Sequence, residues 1–138
     1  MNLDLNSLLS ISAAGMRAQS ERMRTLAENV ANSATTGSTP GADPYRRQIP
    51  VFQQVLDKEL GMRVVKAVKP VRDDSDFPIR YEPSHPAADA KGYVKLPNVK
   101  GLMETVDLQQ AQRTYEANLT IIGETRSMIS RTIDLLRA

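Results

Sequence analysis

The chain has 138 residues, room for one ordinary domain and too few for two full-sized ones. Its 18 Lys and Arg stand against 16 Asp and Glu, and a net charge of +2 is too balanced to mark a nucleic-acid binder by composition. With no Cys there is no disulfide framework, thiolate zinc site or cysteine nucleophile, and no run approaches the roughly 18 apolar residues of a membrane span.

Hydrophobic residues make up 41% of the chain but aromatics only 4%, with no Trp. That balance favours aliphatic helix packing over an aromatic-rich sheet core. The expected fold is therefore mainly α. Two long terminal helices form a coiled coil or helical bundle, joined by a Pro-rich extended segment with a small β-hairpin. All eight prolines lie between Pro40 and Pro97, and a proline inside a helix costs about 3 kcal/mol, so long helices are confined to the two flanks.

The first helix is expected over 4–34. Leu9, Met16, Met23 and Val30 repeat at seven residues, and Ala13, Leu26 and Ala27 widen that row into an apolar stripe. No Lys or Arg precedes Arg17, so a secretory leader is not expected; if the protein leaves the cytoplasm, it does so by a route that needs none. Thr36 to Gly41 reads as loop. Val64–Val68 and Phe77–Tyr81 read as two strands of one hairpin, turning at Asp73-Asp74-Ser75-Asp76, and Glu82–Val99 as an extended Pro-punctuated segment.

The second helix is expected over 102–137, on the row Leu108, Tyr115, Ile122, Ile129 and Leu136. Ile121, Met128 and Leu135 flank that row on one side, with Leu119 and Ile133 on the other. This apolar arc is wider than one partner helix can cover, which points to helices from other copies or other proteins. A neighbouring row of small or polar residues borders the seam: Ser12, Gln19, Leu26 and Ser33 in the first helix, Ala111, Asn118, Thr125 and Thr132 in the second. A buried Asn in such a place fixes register. Gly15 and Gly123, inside the helices, suit either close helix approach or a tolerated surface position.

Catalytic equipment is missing. The single histidine, His85, has Asp89 nearby but neither a positioned nucleophile nor an orienting partner, so it reads as a loop residue. Asp73 to Asp76 lacks the Gly and distant Glu of a calcium loop. The glycine-rich stretch at 37–42 lacks the Lys-Ser/Thr ending of a phosphate loop. No catalytic residue, metal site, cofactor, nucleic acid or small-molecule substrate is expected; the intrinsic function is assembly.

Three motifs then become recognisable. Ala27-Glu28-Asn29-Val30-Ala31-Asn32-Ser33-Ala34-Thr35 resembles the end of the first helix in the bacterial flagellar rod and hook axial-protein family. There a Thr-Pro-Gly-aromatic turn usually follows at once, whereas here Thr39-Pro40-Gly41 comes later and Tyr45 leads into Arg46-Arg47. Tyr81 to Val99, with its Pro83-Ser84-His85-Pro86 and Leu96-Pro97-Asn98-Val99, is similar to the signature of the proximal rod branch. Val106-Asp107-Leu108, Ala111, Arg113, Tyr115, Ala117 and Asn118 resemble the family's C-terminal helix motif. Mainly residues 48–76 stay outside these matches.

The resemblance implies a structural proximal rod subunit of the flagellar basal body. Its terminal helices would polymerise into the periplasm-spanning drive shaft that carries torque from motor to hook. Expected partners are other rod proteins, the ring/rod junction, copies of itself and, in transit, the flagellar type III export apparatus. Residues 1–35 and 102–138 would form one assembly domain, and 36–101 the loop, hairpin and extended segment. The assembly interface is expected at Leu9, Met16, Met23, Asn29, Val30, Asn32, Leu108, Tyr115, Asn118, Ile122, Ile129 and Leu136. The alternatives are a coiled-coil adaptor or chaperone of a secretion system and an enzyme built on His85 and Asp89.

Overall fold

The structure, a computed structural model, describes residues 5–137. Its elements in chain order are α1 (Leu5–Ala31), β1 (Gln48–Asp57), β2 (Met62–Arg72), β3 (Ile79–Tyr81), β4 (Tyr93–Lys95) and α2 (Gly101–Arg137). The chain divides into two compact units. Unit 1 gathers Met1–Met23, Val51–Val68 and Gln109–Ala138; unit 2 gathers Arg24–Pro50 and Lys69–Leu108.

The two helices fall where proline is absent, three residues shorter than expected at the end of α1. Asn32 N donates to Glu28 O at 3.1 Å and Ser33 Oγ to Val30 O at 2.8 Å, using up the last carbonyls and stopping the helix. α2 begins after Pro97 and carries Glu104 in its first turn and Arg137 in its last, each at the end of the helix dipole that favours its charge. At 1.5 Å per residue, α2 is about 55 Å long.

The mainly α expectation is overturned by the middle of the chain. About half of the described residues are helical, but a fifth lie in strands, forming two separate two-stranded antiparallel sheets. The single hairpin expected from 64–68 and 77–81 does not form. Instead β1 pairs with β2, and β3 pairs with β4 in the register Ile79↔Lys95, Arg80↔Val94, Tyr81↔Tyr93. The tight turn sits at 58–61, where Asp57 Oδ1 accepts from Glu59 N at 3.0 Å and Leu60 N at 3.2 Å. Gly61 follows at φ 61°, a left-handed conformation that glycine adopts without strain. Pro50 and Pro70 are accommodated because a two-stranded sheet has only edge strands.

The β3–β4 sheet also replaces part of the expected extended segment. Val94 is fully buried, while Tyr81 and Tyr93 meet edge-on at 5.3 Å across the strands. Gly92 is required there: its φ is 86°, and a Cβ would lie 2.9 Å from Tyr81 Cε2. The connection is held by Asp89, whose Oδ1 accepts from Lys91 N at 2.8 Å and Tyr93 N at 2.9 Å. The Tyr93 backbone bond, above all, holds the Asp89 carboxyl below its ordinary range.

Candidate assembly interface

Unit 2 is organised around a buried polar cluster. Asn29, near the end of α1, is fully buried, and all four of its amide hydrogen-bonding positions are filled. Its Nδ2 donates to Gln48 O and to Glu104 Oε2, both at 2.8 Å. Its Oδ1 accepts from Tyr45 Oη and Gln48 N, both at 2.9 Å. Glu104, 1% exposed in the first turn of α2, takes Arg47 Nε on its other oxygen. A buried carboxylate is costly unless paired and fully hydrogen-bonded, and here both oxygens are engaged.

The arginine pair ties in the rest of the unit. Arg47 Nη1 reaches Asp73 Oδ2 at 3.3 Å. Partial burial pulls the Arg47 guanidinium down, but the bonds to Glu104 and Asp73 outweigh it and the net shift is upward. Burial pushes the Tyr45 phenol up, helped by Glu28 and Glu104. Arg46 lies 4.1 Å from the centre of the Phe77 ring and donates to Asp73 O at 2.8 Å. Asn98 accepts from Arg47 N at 2.8 Å and donates to Asp73 O and Ser75 Oγ, both at 3.0 Å. The acidic stretch at 73–76 is therefore a fastening point for 46–47 and 98. His85 is likewise absorbed by its own turn, its Nδ1 accepting from Ala87 N at 3.1 Å.

In unit 1 the two helices meet through small side chains. Ala14, Ala18, Ser12, Ala111 and Thr125 are buried, and a Cβ on Gly15 would lie 3.0 Å from Asn118 Nδ2. The helices thus approach closely at Gly15, whereas Gly123 faces open space. The rows exchange the roles expected of them. The small and polar row lies inside, and the apolar row lies on its shoulder: Leu9, Met16, Met23, Val30, Leu108, Tyr115, Ile122 and Ile129 are all only half-buried. Leu136 is 83% exposed.

The three interface asparagines separate. Asn118 is half-buried against Gly15, and Asn29 is spent within the chain. Asn32 is half-buried and bonds locally, its Nδ2 donating to Glu28 O at 2.9 Å and its Oδ1 accepting from Thr35 Oγ1 at 3.1 Å. Tyr45, Arg47, Asn98 and Glu104 were missed from sequence. The available signal was the position of Glu104, seven residues before Ala111 on the inward row. Along α2, Val106, Leu119, Ile121, Met128, Ile133 and Leu135 are exposed. Among the described residues no group of three or more His, Cys, Asp or Glu side chains is placed to hold a metal ion, and no helix is long and apolar enough to cross a membrane.

In sequence order, two long helices with exposed apolar side chains flank a middle that carries two small sheets. Residues 90–135 match the family described as "Flagellar basal body rod FlgEFG protein C-terminal", so this stretch is similar to flagellar basal-body rod proteins. The chain is 46% identical over 134 residues to the flagellar basal-body rod protein FlgC of Agrobacterium fabrum, covering 97% of this chain and 96% of that one. It is 39% identical over 132 residues to FlgC of Aquifex aeolicus (96% and 97% covered) and 36% over 132 residues to FlgC of Escherichia coli O6:H1 (95% and 97%). The chain belongs to the flagellar basal-body rod protein FlgC family. These relatives favour a structural component of the basal-body rod over an adaptor or chaperone.

Proposed function

We propose that this chain builds the proximal rod by polymerising through the shoulder rows of its terminal helices, segments 1–35 and 102–138 acting together as the assembly domain. The observation that supports this reading is the division of labour on α2. The inward row is already packed on small residues, yet Ile121, Met128 and Leu135 remain exposed. Burying one such side chain contributes roughly 1.5–3 kcal/mol, so a repeating contact offsets the cost of ordering exposed helix ends. Association with neighbours then orders those ends by mass action.

The work of such a subunit is mechanical, not enzymatic. Its partners are other rod proteins, copies of itself and the ring/rod junction, and it reaches the periplasm through the flagellar export apparatus. Many identical contacts in a helical array give a stiff shaft that carries torque from motor to hook. Replacing Ile122 with Asp places a charge on the half-buried shoulder row. It should abolish rod assembly, read as lost motility and missing basal bodies in electron micrographs, while secretion of the chain persists. Unimpaired motility would contradict the reading.

A further inference from the structure

Unit 1 carries two apolar surfaces on different sides of α2. The first is a groove of about 360 Å³ lined by Ala13, Met16, Arg17, Ser20, Tyr115 and Ile122. Its floor is mostly apolar, and Arg17 stands exposed among the lining residues. The second is the row Ile121, Met128 and Leu135, exposed by 43%, 45% and 78%. On a helix of about 3.6 residues per turn, Tyr115 and Ile122 lie on one flank of the inward residues Asn118 and Thr125, while Ile121 and Met128 lie on the other. Repeating at seven residues, the second row forms a nearly straight ridge, the shape that packs into a seam between two helices.

Charge fits the same pairing. Glu124 is exposed one turn from both Ile121 and Met128, and neither Glu124 nor Arg17 has an ion-pair partner among the described residues.

We infer that the Ile121–Met128–Leu135 ridge of one copy seats in the Met16–Tyr115–Ile122 groove of the next, with Glu124 facing Arg17. This rests on the rod reading and gives it a polarity, with a second copy of the chain as the occupant. Because ridge and groove are different surfaces, the contact is heterologous. Every copy that joins leaves one groove and one ridge open, so the interaction propagates instead of closing as a two-fold dimer.

The chain has no Cys, so introduced thiols report without background. Cells co-expressing full-length Met16→Cys and Met128→Cys copies, oxidised mildly after assembly, should give a disulfide-linked dimer from isolated basal bodies. Cells expressing either copy alone should not. In parallel, Arg17→Glu and Glu124→Arg should each lower the number of basal bodies per cell, and the double exchange should restore it. Arg17 and Glu124 are both exposed, so neither charge exchange should shift the melting of the free chain.

Intact rods without the mixed cross-link, or a double exchange no better than the singles, would overturn the pairing. If Ile122→Asp still abolished the rod in that case, the pairing alone would be wrong. Rods that assembled without this chain would remove the rod reading as well.

Discussion

The two units solve the problem of helix packing in opposite ways. In unit 2 the contact between the end of α1 and the start of α2 is polar and closed: Asn29, Tyr45, Arg47 and Glu104 satisfy one another within the chain. In unit 1 the inward contact is small and the large apolar residues are left outside, so part of the available burial is still unused. Polar networks fix geometry because only one arrangement satisfies every partner, whereas apolar rows supply non-directional binding strength. One region fixes the geometry of the subunit, and the other keeps the exposed apolar surface on which the proposed assembly draws.

That contrast breaks most visibly at Glu104. Glu104→Ala leaves Arg47 and Asn29 without their shared acceptor, although Arg47 keeps Asp73, and stranding such donors costs about 1–3 kcal/mol. Urea titration of the purified chain should show that loss as a lower midpoint. A change under 1 kcal/mol, on the ordinary scale for a surface site, would mean the cluster is not the organising contact.

A second effect separates the two helical glycines. Gly15→Ala drives a methyl against the Asn118 amide and should destabilise by about 1–3 kcal/mol, as overpacking does. Gly123→Ala faces open space and should stabilise by up to about 1 kcal/mol through helix propensity alone. Thermal melts of the two variants should move in opposite directions; shifts of the same sign would contradict tight packing of Asn118 on Gly15.

The same contrast explains what was legible in the sequence. Proline distribution and the seven-residue rows locate both helices within three residues, because helix-breaking cost and periodicity are local properties. The rows did not disclose which side turns inward. Apolar residues at heptad spacing suit an internal seam and an external one equally, and the choice was made by the Gly15–Asn118 approach, which joins residues far apart in the chain. The strand pairing misled for a similar reason. Gln53 and Gln54 interrupt the apolar signal of β1, and the acidic stretch at 73–76 resembled a hairpin turn although its work is to receive Arg46, Arg47 and Asn98. Asp57 with Gly61 was the local turn signal that was overlooked. The Asn29–Glu104 pair has no local signature at all, being 75 residues apart.

The central claim is that the polar contact in unit 2 is complete in the free subunit while the far end of α2 waits for neighbours. Hydrogen exchange on the free chain and on isolated rods tests it directly. In the free chain the amides around Glu104–Ala111 should exchange slowly and those of 130–137, exposed at every position, should exchange fast; in rods both should be protected. Equal, strong protection of the two segments in the free chain would contradict the account.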